Sequence, residues 1–183
     1  LSGHKQLGRK LQEMFFTWYL EHELSKSRIY EIYLNVIEFG PGIYGVTRGA
    51  SHYFGKTPAE LTPPEAAYLA LMLPSPVRRH VNYCEGGLTP VFQAKMKRLL
   101  GIMQNRGRLD AETYEVWKEG VITFDPTDLT SKKECLAEIQ RLLAASEQQR
   151  SLSGLLDESG VDDDIPLTPD DVVDVAPIRP AKK

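Results

Sequence analysis

Apolar residues recur at helical intervals through the first third of the chain. Between residues 5 and 24 they repeat every three or four positions, and residues 27–37 repeat that spacing after two serines that can cap a helix. Residues 38–45 interrupt the pattern, because three glycines and a proline favour a turn, or a loop whose backbone other groups can approach closely. The pattern therefore predicts two amphipathic helices, a loop, and a short helix over residues 46–54 that ends at Gly55.

Helix-start signals recur through the rest of the first 150 residues. Capping-box spacing and threonine–proline pairs mark the starts, because a side-chain oxygen there can accept an otherwise unpaired backbone N–H. The residues predicted to begin or cap these helices are Thr57, Thr62, Thr89, Asp110 and Ser131. Apart from residues 121–124, no segment has the pattern of a strand. We therefore predict a mainly α fold.

Residues 151–183 differ from the rest in composition. They hold eight acidic and three basic residues, with prolines at 166, 169, 177 and 180. Few large apolar residues accompany these charges, so the segment cannot bury enough surface to offset its ordering entropy. We predict a disordered acidic tail.

Overall composition narrows the class of protein. Hydrophobic residues make up 42% of the 183 residues and charged residues 26%, which is typical of a soluble globular protein. Without the tail, the net charge of −3 becomes +2, with no dense basic stripe, which argues against nucleic-acid binding. The longest clean apolar stretch, residues 66–73, is far shorter than the roughly 20 residues that span a bilayer.

The cysteines and histidines suggest no metal site. Cys84 and Cys135 have no metal-ligand spacing, and we interpret them as unpaired thiols. A disulfide would require an oxidising compartment and close approach of the two backbones, which the sequence does not decide. His4, His22, His52 and His80 show no mutual spacing of the kind that metal sites use, so no residue is assigned as a metal ligand.

Candidate chemistry lies on the first predicted helix. Arg9 and Glu13 are four residues apart and Lys10 and Glu13 are three apart, so all three lie near one side of that helix. Two cations and a carboxylate suit a substrate with a phosphate leaving group. On spacing alone, however, a solvated face with local ion pairs is the simpler interpretation.

Three consecutive motifs favour a functional role for this charged patch over a merely solvated face. Residues 9–14 match R-K-x-x-E, residues 25–35 match K-x-x-I-L-E-x-Y-L-N with Tyr30 in place of the usual leucine, and glycine-rich residues 39–56 match a third motif that continues through residues 61–76. Together they resemble the family 51 peptidoglycan glycosyltransferases. These are the transglycosylase domains of bifunctional penicillin-binding proteins and of monofunctional transglycosylases.

The resemblance implies the C-terminal part of a lysozyme-like glycosyltransferase fold. The expected domains are a partial glycosyltransferase domain over residues 1–125, a C-terminal helix over 126–150 and the acidic tail over 151–183. The family's first motif, E-D-x-x-F-x-x-H-x-G, and its G-G-S-T-I-T-Q-Q-type segment do not occur in the sequence. That motif supplies the general base, so we expect the chain alone to be inactive and its intact parent to be the enzyme.

The implied reaction polymerises lipid II into β-1,4 glycan strands and releases undecaprenyl pyrophosphate. Glu13 corresponds to the second catalytic glutamate, on the leaving-group side, with Arg9 and Lys10 near the pyrophosphate. The other expected substrate-binding residues are Lys26, Glu31, Asn35, Arg48 and Lys56, whereas Tyr33 is expected in the core. A divalent cation, Mg²⁺ or Mn²⁺, is the implied cofactor.

Lipid II and the growing glycan strand are the implied partners, together with cell-wall synthesis proteins. The implied location is the periplasmic or extracellular face of the cytoplasmic membrane, reached through the parent protein. Two alternatives stay open. One is a non-catalytic module that binds lipid II or glycan, and the other is a muralytic hydrolase, since a lysozyme-like fold also supports glycan cleavage.

Overall fold

The computed structural model describes residues 3–129 and 131–154 and divides the chain into two compact units. One unit contains described residues 3–32 and 152–154, and the other contains residues 33–129 and 131–151. The predicted disordered tail lies outside the described residues from position 155 onward. Within the described residues, no helix combines the length and apolarity needed to cross a bilayer.

The described chain is mainly helical, as the sequence predicts. In chain order the helices are α1 (Gly3–Glu23), α2 (Lys26–Val36), α3 (Val46–Phe54), α4 (Pro63–Met72), α5 (Pro76–Arg79), α6 (Val81–Cys84), α7 (Pro90–Asn105), α8 (Ala111–Trp117) and α9 (Lys132–Gly154). A short 3₁₀ turn, Pro58–Glu60, precedes α4. Helix α9 ends at Gly154, four residues beyond the expected end of the C-terminal helix.

Strand predictions were wrong at two places. Strands β1 (Glu38–Gly40) and β2 (Ile43–Tyr44) form a small antiparallel hairpin with an irregular register in the predicted loop. Two and three residues are too short for alternation to be visible in the sequence. Residues 121–124, predicted as a strand, have no strand structure, and Phe124 instead packs edge-on against Tyr68 and Tyr83.

Local capping signals were read correctly. Thr57 with Glu60, and Thr62 with Glu65, form reciprocal capping boxes, and Gly55 closes α3 in the left-handed conformation at φ 62°. Each device satisfies backbone groups that a helix end leaves without intrahelical partners. Each capping box lies within four consecutive residues, and the Gly55 N–H donates back to a carbonyl of α3 itself, so these helix boundaries follow from the local sequence.

The core of the second unit is rich in aromatic residues. Helix α4 packs against α3 and α7, and β1 contacts α5. Tyr53 from α3 meets Tyr68 from α4 and Tyr83 from α6 edge-on, at ring-centroid distances of 5.3 Å each. Such T-shaped contacts contribute beyond their buried area. The Tyr53 hydroxyl donates to the Phe39 carbonyl at 2.9 Å, which attaches the hairpin to this core.

Apolar side chains on α1 and α2 are exposed. Met14, Phe15 and Trp18 are 57%, 64% and 66% exposed. Tyr33, expected in the core, is 41% exposed. The amphipathic spacing thus correctly indicates helices, while the burial expected for their apolar faces is not found in the described residues.

Candidate functional site

The charged patch on α1 has the geometry that its spacing predicts. Arg9 Nε lies 3.6 Å from Glu13 Oε1, and Lys10 Nζ lies 3.3 Å from Glu13 Oε2. All three side chains are more than half exposed. The patch presents two cations and one carboxylate to solvent, so a phosphate ligand could reach both cations without displacing packed side chains.

The remaining site residues fall into both units. Lys26 is exposed at the start of α2. Glu31, further along that helix, forms an ion pair with Arg28 at 2.8 Å. In the second unit, Asn35 is exposed near the end of α2, and Arg48 is exposed on α3. The catalytic and substrate-binding roles of these residues stay predictions.

Arg48 borders an open groove of about 310 Å³ in the second unit. Thr47, Ser51, His52 and Asp128 also line it. A guanidinium beside two hydroxyl side chains offers hydrogen-bond donors and acceptors of the kind that a sugar or a phosphate uses. The substrate contact expected at Arg48 stays a prediction, and this groove is the surface on which it would form.

Lys56 is held by Glu65, which lies in the first turn of α4. Its Nζ donates to both carboxylate oxygens of Glu65, at 2.7 and 2.9 Å, and the Glu65 side chain is only 8% exposed. Burial by itself raises the pKa of Glu65, but hydrogen bonds from Lys56 and Thr62 outweigh it and lower that pKa. The pair joins the end of α3 to the start of α4.

Glycines shape the hairpin, as predicted, through two different constraints. A Cβ on Gly40 would lie 2.3 Å from the Tyr53 hydroxyl, so only glycine allows that approach. Gly42 and Gly45 instead have positive φ, 67° and 83°. At Gly45 a Cβ would also lie 2.8 Å from the Asn35 carbonyl oxygen, so conformation and close approach both require glycine there.

The prediction of unpaired thiols was wrong, because Cys84 and Cys135 form a disulfide with their Cα atoms 5.6 Å apart. The bridge joins the end of α6 to the start of α9, across 51 residues of sequence. A salt bridge between Lys132 and Glu85 lies next to it. Only the path of the chain brings these ends together, so no local signal could have shown the pairing.

His80, which lies beside the disulfide, belongs to a cluster of titratable side chains. His80 Nδ1 lies 2.7 Å from the Tyr53 hydroxyl, and His52 Nδ1 lies 2.8 Å from Asp128 Oδ2. Burial, with a smaller effect from His52, lowers the pKa of His80 to about 4, so this imidazole is neutral at pH 7. Burial also raises the pKa of Tyr53 far above its usual range. No spacing in the sequence indicates this cluster, because its members come from α3, the turn between α5 and α6, and a loop.

Comparison with known proteins tests the family resemblance that the three motifs indicate. A family model described as transglycosylase matches residues 1–104, more than half of the chain. Together with the mainly helical fold, this match shows that the chain belongs to the transglycosylase family. The family that the three motifs resemble is thereby confirmed.

Individual relatives carry a more specific name, biosynthetic peptidoglycan transglycosylase. The protein from Herminiimonas arsenicoxydans is 50% identical over 76 residues, 42% of this chain and 33% of that protein. The Nitrosospira multiformis protein is 46% identical over 103 residues, 56% of this chain and 43% of that protein. The Aeromonas hydrophila protein is 55% identical over 74 residues, 40% of this chain and 32% of that protein. The chain thus spans a third to less than half of these relatives.

Proposed function

We propose that this protein is a peptidoglycan glycosyltransferase that polymerises lipid II into β-1,4 glycan strands and releases undecaprenyl pyrophosphate. Support comes from family membership, from the relatives' shared name, and from the α1 patch. The observation that carries the proposal is the geometry of that patch, where two cations flank the Glu13 carboxylate at 3.3–3.6 Å.

Charge development explains why such a patch would serve this reaction. When the anomeric carbon–oxygen bond breaks, negative charge grows on the departing pyrophosphate. Arg9 and Lys10 would stabilise that charge, and the Arg9 guanidinium can bind two phosphate oxygens at once. Glu13 holds both cations on one side of α1 and would thereby position them. An inverting attack requires a base on the opposite face of the sugar, and the family's first motif supplies it.

A divalent cation, Mg²⁺ or Mn²⁺, is part of the proposal. The exposed Glu13 carboxylate is the kind of hard oxygen ligand that these ions accept, usually together with substrate phosphates. Such an ion would add positive charge beside the leaving oxygens.

The proposed location is the outer face of the cytoplasmic membrane, where the lipid-linked substrate is consumed. The Cys84–Cys135 disulfide supports a location outside the cytoplasm, because disulfides persist in oxidising compartments. The growing glycan strand and other cell-wall synthesis proteins are the proposed partners.

A chimaera tests the role of Glu13 in a complete domain. The segment of this chain that aligns over 103 residues with the Nitrosospira multiformis relative replaces the aligned segment of that relative, and glycan chains are measured from labelled lipid II. We expect the chimaera to polymerise and Glu13→Gln to reduce the rate at least about 100-fold, the effect of losing a positioned catalytic group. Glu23→Gln is the matched control, because Glu23 is also an exposed carboxylate on α1 with a basic neighbour.

Each other outcome would refute the assignment. Unchanged chain growth in Glu13→Gln would remove Glu13 from the chemistry. Lipid II binding without product by the unmutated chimaera would favour a binding module. Release of soluble muropeptides from sacculi would favour a hydrolase.

A further inference from the structure

Three potential metal ligands meet at the disulfide. A ring nitrogen of His80 and the Sγ atoms of Cys84 and Cys135 all lie within 4.8 Å of one another. His80 and Cys84 are one helical turn apart, and the Cys84 N–H donates to the His80 carbonyl at 3.2 Å, so their side chains share one face. Cys135 comes from the start of α9. None of the three belongs to the patch proposed for glycosyl transfer.

Hydrogen bonding prepares His80 to act as a ligand. The Tyr53 hydroxyl donates its only proton to the Phe39 carbonyl at 2.9 Å. In the 2.7 Å contact with His80, the tyrosine oxygen must therefore accept a proton from Nδ1. That tautomer leaves the lone pair on Nε2. Metal-binding imidazoles are held in the same way, by donating their other ring N–H to a fixed acceptor.

The surroundings suit a cation with a bound water. A cavity of about 350 Å³ is lined by His80 and Cys135 and also by the carboxylates Glu134 and Glu138. His52 lines the same cavity, and its buried Nε2 has no hydrogen-bond partner among the described residues. When the neutral ring donates its Nδ1 proton to Asp128, Nε2 is left as an acceptor to which a metal-bound water could donate.

We propose that the reduced protein binds Zn²⁺ at this place through Cys84 Sγ, Cys135 Sγ and His80 Nε2, with water as the fourth ligand. Two thiolates and an imidazole form a ligand set that zinc prefers. In a tetrahedral zinc site, ligand atoms lie about 3.5–3.8 Å apart, so the two sulfurs must separate after reduction and the imidazole must move closer to them. The proposal does not depend on the glycosyltransferase activity.

Disulfide and metal are alternatives at one site. A dithiol reductant donates two electrons and two protons, so the Cys84–Cys135 bond breaks, two thiols form and the reductant becomes a disulfide. Zn²⁺ then displaces the two thiol protons to solvent and keeps its own oxidation state. In both states α9 stays attached to α6, by a covalent bond when oxidised and through the metal when reduced.

Zinc retention tests the proposal directly. The untagged full chain is treated with a dithiol, freed of it under argon and titrated with Zn²⁺ against a chromophoric chelator. We expect one tightly held zinc per reduced chain and none per oxidised chain. Reduced Cys135→Ser should bind more than about 100-fold more weakly, since even outer-shell changes weaken binding 10–100-fold. His22→Ala is the control, because His22 is an exposed histidine far along the sequence from these ligands.

Co²⁺ in place of zinc reports the ligands themselves. The reduced chain should show a thiolate-to-cobalt charge-transfer band and the intense visible bands of a four-coordinate ion, and Tyr53→Phe should weaken binding about 10-fold. Equal zinc retention by the oxidised and reduced chains, or wild-type affinity in Cys135→Ser, would overturn the proposal. If circular dichroism shows that Cys135→Ser does not fold, alkylation of the reduced wild-type chain provides the test. Bound zinc should slow the alkylation of Cys84 and Cys135, and equal alkylation rates with and without zinc would also overturn the proposal.

Discussion

Replacing Lys56 by methionine tests how much a single ion pair contributes to the second unit. Methionine keeps an unbranched apolar stem and removes both hydrogen bonds to Glu65, at 2.7 and 2.9 Å. Glu65 Oε1 then loses its protein partner, while Oε2 keeps the Thr62 N–H at 2.8 Å. The change therefore leaves a carboxylate that is only 8% exposed without its counter-charge.

The expected loss follows from the burial of the two partners. Breaking a fully buried ion pair costs about 3–5 kcal/mol, because an uncompensated charge stays in the interior. Lys56 is 35% exposed, so water can partly solvate the carboxylate when the ammonium is removed. We therefore expect Lys56→Met to lower the free energy of unfolding by about 2 kcal/mol.

Urea denaturation of the full chain at pH 7 measures this loss. Trp117 fluorescence reports the second unit in a Trp18→Phe background, which changes an exposed residue of α1. Lys97→Met is the matched control: Lys97 lies 2.6 Å from Glu119, but both side chains are well exposed, and the midpoint should not change measurably. Equal midpoint shifts in the two variants would refute the reasoning that burial increases the contribution of the Lys56–Glu65 ion pair to the free energy of unfolding. In a Glu65→Gln background, Lys56→Met should cost clearly less.

Two further predictions concern the same unit. Because the pKa of Glu65 is lower in the folded protein than in the unfolded chain, its stabilising effect is complete above the unfolded-state pKa and is lost as the pH falls through the folded-state pKa. Urea midpoints should thus fall with acidification more steeply in the wild type than in Lys56→Met. Gly45→Ala should destabilise by about 3 kcal/mol and Gly42→Ala by about 1 kcal/mol, since both have positive φ but only Gly45 also meets a backbone oxygen. Thermal unfolding of both variants measures this difference, and equal costs would contradict the role of the Asn35 contact.

Helix positions and the α1 patch were predictable because the interactions that fix them are local. The capping boxes at Thr57 and Thr62 join residues three positions apart, and the contacts of Arg9 and Lys10 with Glu13 join residues four and three positions apart. Family membership was predictable for a similar reason, since the motifs are short ordered strings within residues 1–104. The domain boundaries and the roles of the site residues stay predictions.

The sequence by itself determined the longer helices, where most of them begin, and which glycosyltransferase family the chain resembles, but it gave no signal for the short helices α5 and α6. Only the tertiary structure decided that Cys84 meets Cys135, that His80 lies beside them, and that Lys56 is held by Glu65. Periodicity and capping depend on neighbours within one helical turn, whereas the disulfide joins residues 51 positions apart. Such proximity depends on the packing of α6 and α9 within the second unit, and no spacing in the sequence encodes it.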